Sequence, residues 1–111
     1  MTYPVRISRR AEWDATNIRN WIAEHSPSGA RQWLDAFEQA IKSLEISADH
    51  CALAPEADEL GIELRELSFH TRRGRPYRLL LIIENGEVLI ASVRSGGQDL
   101  ATWSELDLSP E

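Results

Sequence analysis

Six of the chain's twelve Lys and Arg residues fall between Arg65 and Arg94: Arg65, Arg72, Arg73, Arg75, Arg78 and Arg94. Tyr77 stands directly before Arg78. A guanidinium offers N–H donors in a fixed fork that matches the oxygens of a phosphate or carboxylate in pairs. A Tyr/Arg cluster at one end of a sheet is therefore suited to holding a phosphate. The same residues also fit an internal role, an arginine stacked on the tyrosine and paired with Glu63 or Glu66. The residue types leave both uses open.

The strands that carry these residues set which way each one points. Glu84-Asn85-Gly86-Glu87 separates two apolar runs. Asn-Gly in that setting predicts a two-residue hairpin turn, because both central residues of a type I′ turn need φ > 0. Tyr77 to Ile83 is almost wholly apolar, as in a strand covered on both faces, and Val88 to Val93 is its partner. A tight turn sets Glu84 opposite Glu87, Tyr77 opposite Arg94 and Arg78 opposite Val93. Arg78 then lies on the other face from Tyr77 and Arg94 unless a bulge intervenes. A third strand, Ile62 to Phe69, changes phase: Ile62 and Leu64 share one parity, Leu67 and Phe69 the other. A bulge near Arg65-Glu66 would reconcile them.

The elements upstream must cover this sheet. Tyr3, Val5 and Ile7 alternate with polar residues, as in a half-buried strand. Ser8 can cap a helix from about Arg9 to His25, with Ala11, Ala15, Ile18, Trp21 and Ile22 as its apolar stripe. Trp13 lies off that stripe. Ser26-Pro27 ends this helix and starts a second, to about Ile46, with Ala30, Trp33, Leu34, Phe37, Ile41 and Leu44 on one face. Residues 49–61 read as a loop. The order β-α-α-β-β-β segregates helices from strands, so the fold class is α+β, an antiparallel sheet packed against a helical hairpin.

Length predicts a single domain over 1–111, with an acidic tail at 99–111 whose anchors would be Leu100, Trp103, Leu106 and Leu108. Net charge is −6, which argues against strong nonspecific nucleic-acid binding. The lone Cys51 excludes an intramolecular disulfide and fits a reducing cytoplasm. His50-Cys51 has no second ligand pair, so no metal and no cofactor are expected. No apolar run spans a membrane, and the N-terminus does not read as a signal peptide.

Taken in order, Ile7-Ser8 before Ala11, Ala40-Ile41-Lys42-Ser43-Leu44, Leu53-Ala54-Pro55-Glu56, Leu64-Arg65-Glu66-Leu67-Ser68-Phe69, Tyr77-Arg78-Leu79-Leu80 and Val93-Arg94 carry a resemblance. The chain resembles the RelE/ParE superfamily of type II toxin–antitoxin toxins, also known as plasmid stabilisation proteins. The resemblance implies the same fold and a toxin held in check by a cognate antitoxin. RelE-like members cut mRNA in the ribosome; ParE-like members bind DNA gyrase. For a nuclease, the resemblance would make Arg65, His70, Arg78 and Arg94 the catalytic candidates, with Arg78 matching a family catalytic arginine. Arg72, Arg73, Arg75 and Tyr77 are the candidates for target or phosphate contact, and Trp13, Trp21 and Trp33 for antitoxin contact. The chain departs from the nuclease pattern. Ser95-Gly96-Gly97-Gln98 follows the last strand without the usual Arg and then Tyr or His, strand 62–69 has no Lys, and the net charge is negative. The resemblance is therefore nearer ParE.

Overall fold

A computed structural model describes residues 2–109. Strand β1 (Val5–Ile7) leads into helix α1 (Arg9–His25) and helix α2 (Pro27–Ser47). A 3-10 turn, Ala48–His50, follows, then the two-residue strand β2 (Ala52–Leu53) and the short helix α3 (Glu56–Leu60). Strands β3 (Arg65–Phe69), β4 (Tyr77–Glu84) and β5 (Glu87–Ser95) complete one five-stranded sheet, ordered β1-β5-β4-β3-β2. The expected α+β arrangement of a sheet against a helical hairpin is present. It differs in two ways from the sequence reading. Residues 49–61 are not a plain loop, because they contain β2 and α3. The sheet is not wholly antiparallel, because β1 pairs parallel to β5.

The caps act as their sequence implies. Ser8 Oγ accepts the Ala11 N–H at 3.1 Å, and Ser26 Oγ accepts the Gly29 N–H at 3.0 Å, each satisfying an orphan donor of a helix start. Pro27 occupies the first turn of α2, where a missing N–H costs nothing. Helix α2 buries Ala30, Trp33, Phe37, Ala40 and Leu44 against the sheet, with Leu34 and Ile41 partly buried. Trp33 stacks on Phe37 at 5.2 Å and meets Tyr77 edge-on at 5.6 Å. Trp21, expected in the α1 stripe, is 55% exposed instead; α1 turns Ala11, Ala15, Ile18 and Ile22 inward.

A bulge does occur, but in another place. Strand β3 starts only at Arg65, so the change of phase before it needs none: Leu64 lies in irregular chain and packs with Leu80 on the face away from the helices. The bulge is in the central hairpin. Glu84 to Leu81 pair with Glu87 to Ile90 as the turn dictates, but Leu80 pairs with Ser92, leaving Ala91 as the extra residue. Beyond it Arg78 faces Arg94, and Tyr77 faces Ser95. The expected Tyr77–Arg94 and Arg78–Val93 pairs are thus replaced.

Helix α1 fixes this bulge. The buried carboxylate of Asp14 accepts the Ser92 hydroxyl at 2.8 Å and the Val93 N–H at 3.0 Å, and Arg10 Nε donates to its other oxygen at 2.9 Å. A backbone donor displaced by a bulge in the core thereby finds a charged acceptor.

Asn85 (φ 54°) and Gly86 (φ 75°) make the two-residue turn left-handed at both positions. Nothing lies within 4 Å of a Cβ placed on Gly86, so its requirement is conformational rather than steric. Gly86→Val is expected to lower stability by about 1–2 kcal/mol, the cost of forcing a β-branched residue into that region. Thermal or urea unfolding measures it.

Candidate functional site

The arginines separate into two sets. Arg78 and Arg94 stand side by side across β4 and β5 on the face opposite the helical hairpin, and neither is open to solvent. Arg78 Nη1 donates to Glu56 Oε1 at 3.0 Å and Glu66 Oε1 at 2.9 Å, and its Nη2 donates to Glu56 Oε2 at 2.8 Å. Glu56 is 1% exposed at the start of α3, and Glu66 comes from β3. Arg94, 3% exposed, donates to the Asp99 carbonyl at 2.7 Å and to Glu105 Oε2 at 3.3 Å, while its Nε has no partner.

Residues 99–107 lie over this face as a strap. The Ala101 N–H donates to Glu56 Oε2 at 2.9 Å, and the Asp107 N–H donates to the Ala91 carbonyl at 3.2 Å. Ala101 is buried with Ala54, Ala57, Leu64 and Leu80, and Leu106 packs beside them. A 3-10 turn at Trp103–Glu105, capped by Thr102, presents Glu105 to Arg94. Leu100 and Trp103, expected as anchors, are half exposed; Ala101 and Leu106 anchor the strap. Pro110 and Glu111 of the acidic tail lie outside the described residues.

Burial pushes the Glu56 carboxyl up, but hydrogen bonds from Arg78, Ala101 N–H and its own N–H outweigh it and hold it at about 2. Hydrogen bonding to Glu56 in turn raises Arg78. The Thr102 N–H, and then Arg94, hold Glu105 below the usual carboxylate range. Glu56, Arg78 and Glu105 are therefore charged at neutral pH.

The remaining nuclease candidates do not join it. Arg65 donates to Glu63 Oε1 at 2.8 Å and to the Cys51 carbonyl. His70 is exposed and bonds the Thr71 carbonyl. Tyr77, expected to touch phosphate, belongs to the aromatic core; burial raises its hydroxyl, and nearby Arg75 opposes the shift. Arg72, Arg73 and Arg75 form the second set, exposed in the β3–β4 loop. Trp13 is 59% exposed with the Arg10 guanidinium over its ring, and Trp21 lies beneath Arg75. Trp33 is 2% exposed, so it packs the core and is not free to meet a partner.

Glu56, Glu105 and Asp14 escaped the sequence reading. Glu56 sits in an acidic run that resembles a solvated loop. Asp14 did leave a signal, an acid set among Ala11, Ala15 and Ile18 on the buried side of α1.

The pattern of the family described as ParE toxin of type II toxin-antitoxin system, parDE, matches residues 5–100. The chain belongs to the ParE toxin family. Its fold is similar to that of a chain in a solved structure, the chromosomal ParDE TA system from P. aeruginosa. The TM-score is 0.65 at 17% identity, covering 85% of this chain and 96% of that one. None of the curated proteins matches it. The resemblance read from the motifs is thus borne out on its ParE side. The family match ends at residue 100, so most of the strap that closes the arginine face lies beyond it.

Glu56 supplies a pH test. Its folded pKa is depressed, so its contribution is complete above the ordinary carboxylate range and is lost as pH falls towards about 2. The loss should be about 3 kcal/mol across that window. Glu56→Gln should destabilise this ParE-family chain by about 3 kcal/mol at neutral pH, because Arg78 loses half its charge partners in a buried site. The variant's unfolding curve should also be flatter than the wild type's across the acid window, which denaturant melts at several pH values would show.

Proposed function

We propose that this chain is the toxin of a type II toxin–antitoxin pair. It inhibits growth in the cytoplasm by binding a protein target of the DNA gyrase kind, and a cognate antitoxin neutralises it. The observation that carries this reading is the pairing of Arg78 and Arg94 under the strap. RNA cleavage needs a group to activate the 2′-hydroxyl, cations on the phosphate and an acid for the leaving group. Arg78 would have to leave two carboxylates to meet a phosphate. Its hydrogen bonds and those of Arg94 go to acids and a carbonyl, not to His70 or Tyr77. A binding toxin needs none of that chemistry.

For the antitoxin, a groove of about 630 Å³ runs between Ile7 of β1 and Leu34, Phe37 and Ile41 of α2. It offers apolar wall beside an edge strand, the setting in which an added peptide strand or helix docks. Exposed Trp13 and Trp21 on α1 are further candidate contacts.

Two measurements test the proposal. The purified chain should inhibit gyrase supercoiling and leave mRNA intact when added to a cell-free translation extract followed by primer extension. Cuts at ribosome-bound codons that disappear in Arg78→Ala would establish the alternative, a ribosome-dependent endoribonuclease. Neither activity would mark a degenerate member of the family. Separately, the co-expressed antitoxin should raise the melting midpoint, by the equivalent of about 2.7 kcal/mol when free partner exceeds its Kd a hundredfold. An unmoved midpoint at saturation would remove the antitoxin from the account.

A further inference from the structure

We infer that the cleft between α1 and the open end of the sheet is the surface by which the toxin grips its target, and that it takes an acidic protein segment bearing an apolar anchor. The inference rests on the proposal that the chain acts by binding a protein. Trp21, Ile18 and Asn17 of α1 form one wall of the cleft, and Arg75, Tyr77, Ser95 and Gln98 the other. Its volume of about 500 Å³ falls within the size range of ligand sites, room for more than one side chain. The Arg75 guanidinium lies 6.0 Å from the centre of the Trp21 ring. An exposed indole next to an exposed cation suits an apolar side chain flanked by carboxylates, and Trp and Arg are among the residues that most often dominate binding energy.

Charge points the same way. Arg6, Arg10, Arg65, Arg78 and Arg94 are each paired with an acid of this chain. Arg72, Arg73 and Arg75, within four positions of each other, form no ion pair among the described residues. Three uncompensated, exposed cations on a chain of net charge −6 create a local positive field that steers an anionic partner to this end. The field is local. A nucleic acid, with a charge at every phosphate, would be repelled by the surrounding acidic surface, whereas a segment with a few carboxylates would not.

The experiment uses the full chain in the gyrase supercoiling assay. Trp21→Ala, Arg75→Ser and Arg72→Ser/Arg73→Ser should each raise the concentration for half-inhibition by about tenfold or more. Trp21→Phe should keep most of the activity, and Arg9→Ser, an exposed cation elsewhere, should keep all of it. Melting midpoints should stay at the wild-type value, since these side chains are exposed. Added salt should weaken the wild type more than Arg72→Ser/Arg73→Ser. Wild-type inhibition that survives both cleft variants, Trp21→Ala and Arg75→Ser, would overturn this inference and leave the functional proposal standing.

If the wild type does not inhibit gyrase, the functional proposal fails and the cleft is tested alone. The isotope-labelled chain is titrated with a peptide of alternating Glu and Leu and, separately, with single-stranded RNA. Saturable shifts of the Trp21 indole N–H with the peptide, absent in Arg75→Ser, would uphold the cleft as an acidic-segment site. No shift with the peptide, or shifts with RNA alone, would overturn it.

Discussion

Two guanidinium groups opposite each other on the central strand pair are the constraint around which one side of this molecule is built. Like charges directly across a ladder repel, and Arg94 is buried while Arg78 is mostly shielded from solvent. A buried charge without a partner costs several kcal/mol. Carboxylates must therefore be brought to them, and each comes from a different element: Glu66 from β3, Glu56 from α3 and Glu105 from the strap. Helix α3 and residues 99–107 thus bring charge as well as the apolar contacts of Ala57, Leu60, Ala101 and Leu106 to this face. It does not follow that the network is a large source of stability. Apolar residues of the same shape would hold the face together at least as well. What the network does is tie three separate segments to one place, so that none of them can leave alone without stranding a charge.

The constraint itself originates on the other side of the sheet. Without the extra residue Ala91 in β5, Arg94 would stand opposite Tyr77, pointing to the helix side, and Arg78 would have a valine across from it. The bulge moves Arg94 over to Arg78's face. A bulge leaves a backbone donor to be satisfied, and Asp14 of α1 accepts it together with the Ser92 hydroxyl. One carboxylate on the helix layer thus sets the register that places two cations on the opposite layer. The coupling runs through a single backbone, that of β5, which is buried along most of its length.

The sequence was most legible where local chemistry decides structure. Ser8, Ser26-Pro27 and Asn85-Gly86 placed both helices and the hairpin turn, because caps and left-handed turns depend on a few adjacent residues. It was least legible where a partner comes from far away. The bulge depends on Asp14, 78 residues from Ser92. Pairing of Glu56 with Arg78 spans 22 residues, and an acid in a Pro-containing loop looks solvated until the sheet beneath it is known. Trp33 and Tyr77 were assigned to contacts with other molecules because aromatic side chains serve cores and interfaces equally well, and only packing against Phe37 and Phe69 tells which. Trp13 and Trp21 were separated from the core correctly in one case and not in the other: Trp13 lies off the apolar stripe, while Trp21 falls on it by spacing yet reaches past the sheet end.

By composition the six arginines of residues 65–94 read as one basic patch suited to holding a phosphate. Geometry divides them. Those on strands, Arg65, Arg78 and Arg94, are matched by acids of the same chain and contribute no net field. Those in the β3–β4 loop, Arg72, Arg73 and Arg75, are not matched. The difference follows from desolvation: a strand arginine on a covered face must be neutralised within the fold, whereas a loop arginine keeps its water and costs nothing unpaired. Cations left unmatched by that rule are the ones still available to another molecule. Arg9, Arg19, Arg31 and Lys42 also stand outside the ion pairs, but they are spread along the helices; the one concentration of unmatched positive charge among the described residues is the β3–β4 loop, whose Arg75 lies beside Trp21.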